Sequence, residues 1–142
     1  MPSLISTSDA GAGIGYTGIR VRGSDATRVN VTINGIPYND AESQGTFWVN
    51  LTDFSSSVEN IQLQRGIGTS TNGSSAFGAS LNILTDGISK EKFFESNNSF
   101  GSFSTLKNSI RFSTGDINNK FQISGRFSKI ISDGYIDRAS SD

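Results

Sequence analysis

The chain has 142 residues, 12 Lys+Arg against 13 Asp+Glu, and neither Cys nor His. That length fits one ordinary domain, or a small domain with a piece of another, and the balanced charge offers no basic field for nucleic acid. The missing Cys and His exclude zinc sites, disulfide frameworks, Ser-His-Asp triads and Cys-His pairs, leaving only carboxylate-, Lys- or Tyr-based catalysis.

Ser, Thr and Asn supply 47 residues, and with 16 Gly and 2 Pro they favour short strands and turns over helices. The start, Met1 to Ile5, has no basic residue and no apolar run of signal-peptide length. No stretch approaches the ~20 apolar residues of a membrane helix. The polar close, Asp133 to Asp142, suits an internal fragment of a longer protein.

In chain order, Ile19-Arg-Val-Arg22 alternates strictly and stops at Gly23, as a short half-buried strand does. Arg28 to Ile33 alternates too, with Val29, Val31 and Ile33 on one face, and Asn34-Gly35 then signals a tight turn. The spacing of Phe54, Val58 and Ile61 predicts a short helix over 52–58, capped by Thr52 or Asp53. Ile61 to Arg65 returns to period two and ends at Gly66, and Ser80 to Thr85 reads as a further strand. These elements imply a small mixed α+β domain with long Gly/Ser loops.

From about residue 91 the texture changes. Lys92 to Phe100, Thr105 to Thr114 and Lys120 to Lys129 are runs of about ten residues, with a short turn expected at Gly115 to Asn119. Leu106, Ile110 and Phe112 oppose Lys107, Ser109 and Arg111, while Phe121, Ile123 and Phe127 oppose Gln122, Ser124, Arg126 and Ser128. A membrane β-strand has that length and alternation. Soluble sheets alternate as well, and periodicity alone favours a soluble β-sandwich piece. The Phe residues, placed like an aromatic girdle, favour the membrane barrel.

Gly13-x-Gly15-x-x-Gly18 has dinucleotide-site glycine spacing, but a strand rather than a helix follows it. Gly68 to Ser75 has P-loop spacing, yet Ser74 stands where the phosphate-binding Lys belongs. Both are ordinary loops. The carboxylates Asp40, Glu42, Asp53 and Glu59 are scattered, with no catalytic pair among them. Arg22 and Arg65 each end a strand directly before a Gly; an exposed strand-end charge and an ion pair both fit. Tyr38 and Phe47-Trp48 flank a polar loop containing Asn39, Asp40, Glu42, Ser43 and Gln44, where they either pin the loop or grip the apolar face of a ligand.

Two ordered blocks resemble the plug domain of TonB-dependent outer-membrane receptors. The first is Ile19-Arg-Val-Arg-Gly-Ser-Asp25 followed by Arg28 to Asp40; the second runs from Val58-Glu-Asn-Ile-Gln-Leu-Gln-Arg-Gly66 through Ala76-Phe-Gly78 to Leu81-Asn-Ile-Leu-Thr85. Ile67, Asn72 and Ala79 depart from the usual pattern, and Gln62 or Gln64 replaces an acidic residue common before the second Arg. The tail, with Gly101-Ser-Phe103 and Ser132-Asp-Gly-Tyr135, is similar to the opening barrel strands of such receptors.

The resemblance implies an α+β plug domain over 1–87 and the first three or so antiparallel strands of a large transmembrane β-barrel over 88–142. It implies no enzyme and no cofactor, but ligand-gated, TonB-energised uptake of a scarce nutrient of the iron-siderophore, cobalamin or glycan class across a Gram-negative outer membrane. The partners would be TonB (through a segment preceding Met1), outer-membrane lipid and the transported small molecule or oligosaccharide. Ligand contact at the plug apex falls to Tyr38, Asn39, Asp40, Phe47 and Trp48, with Thr69, Ser70, Thr71 and Asn72 on a second loop. Arg22 and Arg65 fall to plug–barrel pairing. The rival readings are a soluble β-rich adhesion or carbohydrate-binding module and a carboxylate-dependent glycosidase, which lacks its acid–base pair.

Overall fold

The computed structural model describes residues 3–9, 15–67, 76–87, 89–137 and 140. The chain forms two compact units, Met1–Asp86 and Gly87–Asp142.

In the first unit, β1 (Leu4–Ser8) and β2 (Thr17–Val21) form an antiparallel pair. A second sheet holds β3 (Val29–Ile33), β4 (Ile36–Pro37), β5 (Val58–Arg65) and β6 (Ala79–Thr85) in the order β4-β3-β6-β5. The β3–β6 pair is parallel and its neighbours are antiparallel. Register explains the core. Val29 faces Ala79, Val31 faces Leu81 and Ile33 faces Ile83, while Leu63 of β5 joins Leu81 from the far side. Period two therefore puts these side chains on one face. Val21 completes the buried cluster, and Leu4, Ile19, Tyr38, Trp48 and Phe54 pack over it.

The opposite face is polar: Asn30, Thr32, Ser80, Asn82, Gln62 and Gln64 share it by the same register. Thr32 Oγ1 donates to Asn82 Oδ1 at 2.7 Å. The Asn34-Gly35 turn forms as expected, with φ of 51° and 79°, and joins Ile33 to Ile36 across a two-residue hairpin. Asn34 also clasps Thr85 at the end of β6, accepting from its backbone N–H at 3.0 Å.

The expected helix over 52–58 does not form. Two short 3-10 turns, Trp48–Leu51 and Phe54–Ser57, take its place, and Val58 already belongs to β5. Asp53 adopts a left-handed φ of 54°, and its side chain accepts from Ser56 Oγ at 2.6 Å. Three consecutive Ser residues and a β-branched Val give a helix nothing to propagate through. Among the described residues there is no α-helix, so the expected α+β class is corrected to strands linked by 3-10 turns.

The second unit is an open antiparallel sheet, β7 (Lys92–Phe100), β8 (Leu106–Thr114) and β9 (Ser124–Ile131), not a closed barrel. β9 starts four residues later than the sequence suggests. Asn118 and Asn119 turn at positive φ, and Ile117 bridges Phe121, so the connection is a small hairpin of its own. One face carries Phe94, Phe112, Ile110, Phe127, Phe100, Leu106 and Ile131. The other carries Glu95, Arg111, Arg126, Lys107, Ser109 and Ser128, with the Arg111 guanidinium 5.5 Å from the Phe93 ring centroid.

Gly78 lies where two chain segments nearly touch. Its N–H donates to Arg28 O at 3.0 Å, and a β-carbon there would sit 2.6 Å from that oxygen and 3.0 Å from Ser24 Cβ. The obstacle is backbone, so Gly78→Ala is expected to cost about 1–3 kcal/mol. A urea titration of the intact protein checks this through a lowered unfolding midpoint of the first unit.

Candidate functional site

The candidate ligand loop leaves β4 and is tied back to β3 almost at once. Tyr38 N–H donates to Val31 O at 2.8 Å, which continues the hairpin by one residue and turns the ring toward the core. Asn39 then uses its side chain as a strand would use its backbone. Its Oδ1 accepts from Val31 N–H at 2.7 Å, and its Nδ2 donates to Val29 O and Gln44 O, each at 2.9 Å. Both ends of the amide are thus engaged by main chain, and Asn39 holds the loop rather than offering itself to solvent.

Asp40 closes the next turn. Its N–H donates to Gly45 O at 2.8 Å, and its O accepts from Gln44 N–H at 2.9 Å. Its Oδ1 accepts from Ser43 N–H, Ser43 Oγ–H and Glu42 N–H at 2.7, 2.9 and 3.1 Å. The Ser43 backbone hydrogen bond is the main cause that holds the carboxyl below its ordinary value of 3.8, followed by the Ser43 hydroxyl. The turn demands a left-handed residue, and Gln44 supplies it at φ 59°. Asp25 does the same work before β3: Thr27 N–H donates to its Oδ1 at 2.9 Å and is the main cause lowering its pKa.

Phe47 and Trp48 follow this turn and part company. Phe47 is 49% exposed, while Trp48 is half-buried against the core cluster. The Trp48 Nε1–H and the Thr46 hydroxyl are buried without partners. Phe47 therefore offers an accessible aromatic face, and Trp48 anchors the segment that carries it.

The second expected loop, Thr69, Ser70, Thr71 and Asn72, lies outside the described residues. Its flanks are bonded together, Gly66 N–H to Gly78 O at 3.0 Å. These flanks stand at the sheet end where Val29 pairs with Ala79, the end to which Asn39 also ties its loop. The fold thus brings both loop roots to one edge. Beside them the Arg28 guanidinium stacks 5.5 Å from the Phe77 ring centroid. Sequence reasoning missed this pair, although each residue begins or joins a block that carries the resemblance.

Arg22 and Arg65 are both exposed, Arg22 at a left-handed φ of 51° and Arg65 at the end of β5 opposite Ala79. Neither forms an ion pair among the described residues. No group of His, Cys, Asp or Glu able to hold a metal occurs among the described residues.

The sheet order, the Asn39 clasp and the two converging loop roots describe a small strand platform that carries its long connections at one end. The family model of the TonB-dependent receptor plug domain matches residues 1–80, and the chain belongs to that family. Solved structures of similar fold include the ferric yersiniabactin uptake receptor FyuA from Yersinia pestis, with a TM-score of 0.63 at 18% identity. The match covers 93% of this chain and 20% of FyuA. FpvA of P. aeruginosa bound to heterologous pyoverdine matches at 0.67 and 13% identity, covering 92% and 17% of the two chains. The siderophore receptor PirA from Acinetobacter baumannii matches at 0.58 and 22%, covering 92% and 21%. The chain spans about a fifth of the length of each. No curated protein matches it.

Two expectations follow from the loop. Asn39→Ala leaves the buried Val31 N–H without an acceptor, which costs ~1–3 kcal/mol; amide exchange at Val31 should accelerate while exchange along β5 and β6 changes less. Asp40 has a depressed folded pKa, so its clasp is present in full above 3.8 and is lost as pH falls through the lower folded value. Exchange protection of the Ser43 N–H should therefore hold steady from pH 7 to about 5 and disappear only in stronger acid.

Proposed function

We propose that residues 1–87 act as the plug, and 88–142 as the opening strands of the barrel, of a Gram-negative outer-membrane receptor that imports a scarce nutrient with energy supplied through TonB. The family membership of residues 1–80 is the observation that carries this reading. The tail supports it. β7, β8 and β9 have 9, 9 and 8 residues, close to the ~9–11 that a tilted membrane strand requires, and β8 alternates apolar with polar more cleanly than β7. A barrel wide enough for such cargo would leak, so a folded domain must fill it and yield on command.

The described loop suits that task. The Asp40 turn lies at the surface, where water can replace its hydrogen bonds and the turn rearranges at small cost, while the part-buried Asn39 clasp keeps the loop root on β3. Phe47 is the residue best placed to meet a ligand, with Tyr38 and Trp48 as its apolar support and Asn39 and Asp40 as its braces. Arg22 and Arg65 stand exposed and available for pairing with the barrel. The family points to a receptor rather than an enzyme. Among the nutrient classes considered, iron-siderophore is favoured, because FyuA is a ferric yersiniabactin uptake receptor and PirA a siderophore receptor.

Uptake of radiolabelled iron by cells producing the intact receptor, supplied with a panel of ferric siderophores, tests the reading. At least one complex should accumulate, and deleting TonB should abolish accumulation. Phe47→Ala should weaken binding of that complex about tenfold, the scale of an interfacial aromatic hot spot. Accumulation that persists without TonB would sink the energised mechanism; unchanged affinity in Phe47→Ala would remove this loop from the ligand site.

A further inference from the structure

The apolar face of the β7–β8–β9 sheet is interrupted at one level. Phe94 and Phe127 are 72% and 70% exposed on it, and Phe100 at its far end is 84% exposed. Between the Ile110–Phe127 row and the Phe100–Leu106–Ile131 row lies a row of a different kind, Asn98, Asn108 and Lys129, paired directly across the three strands. Ser96 adjoins it, paired with Ile110. These residues line a shallow depression of about 340 Å³, walled on one side by Ile110 and Phe127.

A cation and two carboxamides in the middle of an apolar face need a reason. A Lys at the bilayer midplane of a barrel costs ~2–4 kcal/mol, but close to the interface the cost falls to ~0–1 kcal/mol. Depth therefore decides. Successive rows are ~6.7 Å apart along a strand, or ~5 Å along the membrane normal at a tilt of ~40°. The Lys129 row lies one such step inside the Phe100 row, which ends the sheet. Beyond that row Phe103 and Tyr135 pack edge to face, with ring centroids 5.4 Å apart, as an aromatic pair at the same rim. Aromatic residues mark the membrane–water boundary of barrels. A lysine stem running along apolar surface from this depth delivers its ammonium to the headgroup level.

We infer that the Asn98–Asn108–Lys129 depression is a binding site for the phosphate of an anionic lipid, whose acyl chains lie against Phe127 and Ile110. The ammonium supplies the charge and the two carboxamides supply N–H donors to the remaining phosphate oxygens. Charge complementarity selects this occupant over a second copy of the chain, which would bring Lys129 against an identical apolar, cationic face. The inference rests on the reading of β7 to β9 as barrel strands.

The intact receptor, reconstituted in phosphatidylcholine vesicles doped with phosphatidylglycerol and then extracted in mild detergent, provides the test. Phosphatidylglycerol retained per protein is measured by mass spectrometry. It should exceed its share of the bulk lipid. Retention should fall about fivefold in Lys129→Gln, the scale of one cation at an anionic surface. It should fall in Asn108→Leu as well, survive in Lys129→Arg, and stay unchanged in Lys107→Ala on the opposite face. Equal retention by wild type and Lys129→Gln, with both floating with vesicles, overturns the site while leaving the barrel reading intact. Failure of the wild type to float with vesicles overturns the barrel reading itself. Displacement of the lipid by inorganic phosphate alone would assign the depression to a soluble anion, and a dimer that dissociates on Lys129→Gln would assign it to a second copy; either overturns the proposal.

Discussion

The parallel pairing of β3 with β6 is the constraint on which the first unit depends. Five residues from Val29 lie against five from Ala79, with 45 residues of intervening chain between the two strands. Parallel neighbours cannot be joined by a tight turn, so the chain must make a long excursion and return. It uses the excursion for the hairpin to β4, the Asn39 loop, the Trp48 and Phe54 packing and β5. Every candidate ligand residue therefore hangs between two strands that are fixed to each other. This is how a unit with six of its described residues in the buried apolar cluster can keep both loop roots in place.

Within that frame, apolar packing and hydrogen bonding have different tasks. Burial of a Val, Leu or Ile side chain contributes ~1.5–3 kcal/mol, so the Val29–Ala79, Val31–Leu81 and Ile33–Ile83 rows supply the platform's stability. Asn39 and Asp40 act through hydrogen bonds instead, and each fixes the direction of the loop as it leaves the platform.

Much of the platform was legible in the sequence because one face of β3 and β6 packs into the apolar cluster, which dictates period-two alternation in Arg28 to Ile33 and Ser80 to Thr85, and because Asn34 and Gly35 both tolerate the positive φ that a two-residue hairpin needs. β7 matched its expected limits although it alternates less cleanly than β8 and is exposed on both faces. The helix over 52–58 was misread because Phe54, Val58 and Ile61 do have helical spacing, while the tertiary frame needs Val58 in β5 opposite Thr85. β1 passed unnoticed, since Leu4-Ile-Ser-Thr-Ser8 is mostly exposed and its pairing with β2 leaves no alternation to read. The start of β9 was misplaced because Phe121 and Ile123 continue the strand's alternation through the Asn118-Asn119 hairpin. The bracing role of Asn39 was beyond reach: a lone polar residue on a loop reads alike whether its amide meets a ligand or the backbone of a strand ten residues away in sequence.

Phe112 and Gly125 face each other across β8 and β9, and a β-carbon at position 125 would stand 2.9 Å from the Phe112 ring. The ring occupies the room that glycine leaves over its own strand. The two positions form one unit of sequence variation. Among relatives of this chain, any side chain at 125 should appear together with a smaller or unbranched residue at 112, and the large aromatic should return only where glycine does. Evolutionary drift along these strands is thereby restricted at the pair, although neither residue carries charge.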